Sequence, residues 1–212
     1  MGGRGMEANR FFGGGVSCPA MESGTSILGA AVRYPLRPAA ALRGVVERGA
    51  VLPFAAALAV TISAGAGLRS YLMNDLSPLA FGLRFAAALG GFVLLPLLLA
   101  GGGRLLGGRG ARGAVAAAVV GSGIPFVAVD LLWSGFFGAI HVTGTPLHET
   151  WALVSMGVLA NVERLSWAWA LVALVAGLAE AQGLSRLRAA ASVAVVGAAV
   201  AAVVFVARSL PS

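Results

Sequence analysis

The chain has 212 residues, 58% of them hydrophobic and 11% charged, with a formal net charge of +7 and a mean hydropathy of +0.90. A soluble domain of this size would expose far more apolar surface than a monomer tolerates, so the composition excludes a water-soluble globular protein and points to an integral membrane protein. All 15 basic residues are Arg, scattered singly or in pairs between apolar runs rather than in a stripe with interleaved aromatics, which argues against nucleic acid as a partner.

In chain order, residues 1–26 are rich in Gly and small polar residues with no apolar period, the pattern of a disordered tail without a cleavable signal peptide. Within it, the lone Cys18 excludes an internal disulfide or a CxxC site and lacks the context of a lipoprotein attachment point. The Ala, Gly and Arg bias reads as GC-rich coding and a bacterial source. Residues 27–49 read as a cytoplasmic amphipathic helix at the membrane surface. Pro38 suits a first helical turn, Leu42, Val45 and Val46 recur at helical spacing, and Arg43 can reach Glu47 one turn on.

A span needs about 20 mostly apolar residues. Five stretches qualify, near 50–68, 83–101, 114–137, 165–181 and 189–207, followed by a short outside tail at 208–212. The fold class expected is therefore an all-α transmembrane bundle of five spans. With the N-terminus cytoplasmic and the C-terminus outside, eleven arginines fall inside and four outside, which favours that orientation. The longest outside segment, from His141 to Arg164, carries a Thr145-Pro146 helix start and apolar residues at helical spacing. It predicts an interfacial helix leading into the fourth span, with one continuous helix as the alternative.

Asp130 stands inside the apolar run FVAVDLLW, and an intramembrane acid is a candidate for function. Sixteen residues beyond Ala114, it lies about 24 Å into the third span, in the outer part of the bilayer beneath Trp133, Phe136 and Phe137. Arg84 begins the second span from that same side, which predicts an Arg84 to Asp130 ion pair. Pro125 removes a backbone hydrogen bond and predicts a kink in the third span, eased by Gly121 and Gly123.

His141, His148 and Glu149 have metal-ligand chemistry at a spacing that fits no metal site, so no metal and no cofactor is expected. The run Gly101-Gly102-Gly103-Arg104-Leu105-Leu106-Gly107-Gly108-Arg109-Gly110 lacks the Gly-Lys-Ser/Thr ending and preceding strand of a phosphate loop. It reads as a flexible turn whose Arg104 and Arg109, with Arg112, contact lipid headgroups. Glu180 reads as a loop ion pair with Arg186 or Arg188. Ala117, Gly121, Gly90, Gly91 and Gly197 predict close helix packing, within the chain or with a partner.

The chain also resembles the bacterial branch of the Yip1 domain family. The resemblance rests on Tyr34-Pro35-Leu36-Arg37-Pro38 with Leu42-Arg43, on Leu106 to Gly110, on Gly123-Ile124-Pro125, and on the stretch from Trp169 to Leu178 followed by Gly183-Leu184-Ser185-Arg186, Ala189 and Ala190. It implies a five-span protein with a cytoplasmic N-terminus and no catalytic residues to map. The Asp-Leu-Tyr-Gly-Pro motif of the eukaryotic members is missing here, so their GTPase-binding role does not carry over. Together these readings predict a non-enzymatic inner-membrane protein acting through helix packing with lipids, partner proteins or copies of itself in membrane organisation. A small transporter or permease component using Asp130 is the alternative.

Overall fold

The computed structural model describes residues 27–144 and 146–209; the Gly-rich tail with Cys18, Thr145 of the expected Thr145-Pro146 helix start, and residues 210–212 lie outside them. All regular structure among the described residues is helical. Two short helices, α1 (Ile27–Arg33) and α2 (Pro38–Glu47), precede the long elements α3 (Val51–Met73), α4 (Pro78–Leu105), α5 (Arg112–Ser122), α6 (Ile124–Thr143), α7 (Thr150–Gln182) and α8 (Arg186–Ser209). Counting α5 and α6 as one interrupted span, five segments are long and apolar enough to cross a membrane. The protein is a multi-pass helical membrane protein.

Local sequence explains the breaks. Pro35 and Pro38 end α1 and open α2, since proline has no N–H to donate and fixes its own φ. Ser77 caps α4, its hydroxyl accepting from the Ala80 N–H at 3.3 Å, with Pro78 next. Between α5 and α6 the helix tightens at Gly123, whose N–H bonds the Val120 carbonyl at 3.0 Å. Pro125 sits in the first turn beyond, so the Gly121 carbonyl has no N–H to meet four residues on, and the span divides there. Gly183, at φ 64°, closes α7 with the left-handed residue that a helix C-terminus favours.

Alternation along the chain puts the starts of α3, α5 and α8 and the ends of α4 and α7 on one side, called here the N-terminal face. The opposite ends form the far face. α5 lies at the centre: just over half of the third span is buried, against a third or less for each of the other four. It is flanked by α2, α3, α4 and α7. α4 and α8 stand at the periphery and turn Leu83, Leu94, Leu97, Val195 and Val203 outward. In lipid that exposure carries no hydrophobic cost.

Two expectations change. The region 146–163 is no separate interfacial helix: α7 runs unbroken for 33 residues from Thr150 to Gln182, taking Glu163 and Arg164 into its interior. The pre-span unit is two helices joined at Tyr34 to Arg37, and it is docked against α5 and α7 rather than merely lying on lipid.

Candidate functional site

The far-face half of the bundle holds a cluster of charges drawn from three helices. α3 supplies Arg69, α6 supplies Asp130 and Trp133 one helical turn apart, and α7 supplies Glu163. The Arg69 guanidinium meets Glu163 as a fork, Nη1 donating to Oε1 at 3.1 Å and Nη2 to Oε2 at 3.0 Å. Its Nη1 stands 3.6 Å from Asp130 Oδ1 as an ion pair, and its Cζ lies 4.8 Å from the centre of the Trp133 ring. Trp133 Nε1 donates to Glu163 Oε2 at 3.1 Å. The side chains of Asp130, Arg69 and Glu163 are 9%, 21% and 28% exposed, so the acid is the most deeply placed of the three.

Each contact suits a site with little water. A planar guanidinium can satisfy two carboxylates at once and stack on an indole, which an ammonium cannot do as well. Paired this way, each charge offsets part of the other's desolvation. Around the cluster, Trp133 stacks on Phe137 with ring centres 5.6 Å apart, Phe136 meets both edge-on, and Trp151 closes on Phe136 from α7. His141 Nε2 reaches the Leu72 carbonyl at 2.7 Å and ties the end of α6 to α3.

The partner of Asp130 is thus Arg69, not Arg84. Arg84 is exposed on α4, near enough for its charge to act on Asp130 and Glu163, but no ion pair joins it to either among the described residues. Arg69 and Glu163 do not stand out in the sequence, because both fall just outside the apolar runs 50–68 and 165–181. Their distance of one or two residues from the expected span ends, level with Asp130, is the available signal. Glu149 accepts from Trp151 Nε1 at 2.9 Å, and among the described residues no three His, Cys, Asp or Glu side chains gather as a metal site.

The N-terminal face is built differently. Tyr34, fully buried between α1 and α2, donates its hydroxyl to the Ala118 carbonyl at 2.9 Å and packs its ring against Phe54. Burial pushes its pKa well above the ordinary phenol value, so the hydroxyl stays a donor at any physiological pH. Room for it comes from Gly121 and Gly177: a Cβ at Gly121 would sit 2.6 Å from Tyr34 Cζ, and one at Gly177 would strike the hydroxyl. Trp169 Nε1 donates to the Pro35 carbonyl at 2.8 Å, and Arg43 pairs with Glu180 at 2.9 Å. Glu180 therefore binds the docked pre-span unit, with no ion pair to Arg186 or Arg188 among the described residues, and Arg43 reaches across to α7.

The glycine-rich turn between α4 and α5 is closely packed, contrary to its reading as a flexible turn. The Gly108 N–H bonds the Gly103 carbonyl at 2.8 Å, and the Arg109 N–H bonds the Gln182 carbonyl at 3.1 Å. A Cβ at Gly103 would overlap the Gln182 side chain, and one at Gly110 the Ala181 carbonyl. Gln182 in turn donates Nε2 to the Leu99 carbonyl at 3.0 Å. Arg104, Arg109 and Arg112 stay exposed around this turn, on the N-terminal face.

Fold and site together define a polytopic helical membrane protein with a docked amphipathic unit ahead of its first span. Residues 32–207 match the Yip1 domain, and the chain belongs to that non-enzymatic membrane family. Neither a curated protein nor a solved structure matches it.

Proposed function

We propose that the protein is a non-catalytic organiser of the bacterial inner membrane, with its N-terminal face in the cytoplasm, working through contacts of its outer helices with lipids and with partner proteins or further copies of itself. The observation that carries this reading is the division of its small residues. Gly121 is used up inside the bundle against Tyr34, whereas a Cβ at Gly90, Gly91 or Gly197 would meet nothing. Those open glycines lie on α4 and α8, the two least buried spans, where they let another helix approach closely. The excess of arginine on the N-terminal face supports the orientation.

Native purification with in-membrane crosslinking tests the reading. Gly90→Ile with Gly91→Ile should abolish capture of a defined membrane partner or second copy while leaving the melting temperature unchanged. Undiminished capture by this variant would count against it.

One observation favours the transporter reading, the nearly buried Asp130 carboxylate within a span. Solute or proton flux in proteoliposomes that disappears in Asp130→Asn would establish it. Equal flux from empty and loaded vesicles would remove it.

A further inference from the structure

On the N-terminal face a groove of about 420 Å³ opens between α1 and α2, within the range of about 300–1,000 Å³ typical of small-molecule sites. Three of its lining residues are Arg33, Arg37 and Arg48, and Val32, Leu36 and Gly44 are among the rest. Val32 and Leu36 are 67% and 77% exposed. The first turn of α2 also lines it, presenting the positive end of a helix dipole. Arg48 precedes the start of the first span at Val51 by three residues, so this end of the groove lies where the chain enters the membrane from the N-terminal face.

From these features we infer that the groove between α1 and α2 seats the phosphate headgroup of an anionic phospholipid, the three guanidinium groups facing the phosphate and Val32 and Leu36 lying along the upper acyl chain. Arginine suits the phosphate because its fork presents paired donors to two oxygens. The exposed valine and leucine suit the chain, since a free anion offers no apolar surface to lie along them. Tyr34 and Trp169 hold the unit against α5 and α7, so the groove is formed before the lipid arrives. The inference deepens the lipid part of the proposed function and is independent of the outward glycines of α4 and α8.

The test uses the full chain purified in detergent, with native mass spectrometry reading its apparent affinity for phosphatidylglycerol and for phosphatidylcholine. Arg33→Gln with Arg37→Gln and Arg48→Gln should weaken phosphatidylglycerol binding at least about tenfold and leave phosphatidylcholine unaffected. Gly44→Leu should weaken it as strongly while retaining every charge, because the space beside Gly44 is open and a leucine fills the groove without disturbing α2. The control, Arg186→Gln with Arg188→Gln, exposed on the same face at the start of α8, should change affinity by less than about twofold.

Wild-type affinity in Gly44→Leu, or an equal loss per arginine in the groove variant and in the control, would show diffuse attraction to a basic face and overturn the site. Displacement of phosphatidylglycerol by equimolar glycerol 3-phosphate would assign the groove to small anions instead and overturn the lipid. Partner capture through α4 and α8 does not depend on these residues, so failure here and failure of the organiser reading are separable.

Discussion

The two ends of the bundle are fastened by different physics. At the N-terminal face the fastener is shape: a tyrosine ring in a notch made by Gly121 and Gly177, and a glutamine amide against Gly103. The ion pair there, Arg43 with Glu180, has one side chain 62% exposed and contributes at most about 1 kcal/mol. At the far face the fastener is charge: Arg69 binds Glu163 through two hydrogen bonds and Asp130 through an ion pair, largely screened from solvent. The same pairing of Arg with a carboxylate is thus minor at one end and structural at the other, and burial makes the difference.

The largest expected effect is at the far face. Arg69→Ala leaves two carboxylates facing each other without their cation and should destabilise the fold by about 3–5 kcal/mol in detergent unfolding or steric trapping. Arg69→Lys, which keeps the charge and loses the fork, should cost less than that but more than about 1 kcal/mol. A loss under 1 kcal/mol in Arg69→Ala would erase the contrast between the ends.

Gly177→Ala comes next, at about 1–3 kcal/mol, because its new methyl meets the Tyr34 hydroxyl. Adding Tyr34→Phe should restore part of that loss; additive losses would show that the notch is not what holds the pre-span unit. By itself, Tyr34→Phe should cost about 0.5–1.5 kcal/mol for the hydrogen bond to Ala118. The smallest effect belongs to Arg43→Ala, within about 1 kcal/mol and shrinking further in high salt.

Much of this architecture was legible in the sequence because its signals were long. Five apolar runs each leave a pattern that averages over many residues, Asp130 stands out as the charge in such a run, and the break near Pro125 is legible locally because proline has no N–H to donate. The misreadings share one cause. Charges end hydropathy windows, so Arg69 and Glu163 fall outside the spans read from the sequence, Arg84 is left as the nearest partner for Asp130, and the fourth span starts at Leu165. A charge that ends a hydropathy window can still lie inside a helix when another helix supplies its counterion, and that information is held in tertiary contacts. Gln182 and Tyr34 escaped for another reason. A neutral side chain bonding a distant carbonyl has no periodicity or spacing to betray it; of the glycines opposite, Gly121 carries a tendency to close packing, whereas Gly103 reads as part of a flexible turn and Gly177 carries no packing signal.

The orientation can be fixed separately by Ser185→Cys in a Cys18→Ser background, which should react with a membrane-impermeant thiol reagent only after the cytoplasmic side is opened. Labelling from intact cells would invert the topology while leaving both fasteners in place.

The most direct measurement is a double-mutant cycle on Arg69→Met and Glu163→Met, with Arg84→Met and Asp130→Asn as the parallel cycle, each read as unfolding free energy in the same detergent. The fork between Arg69 and Glu163 predicts a coupling of about 2 kcal/mol or more for the first cycle and under about 0.5 kcal/mol for the second. Additive losses for Arg69 and Glu163, or a stronger coupling between Arg84 and Asp130, would contradict the account.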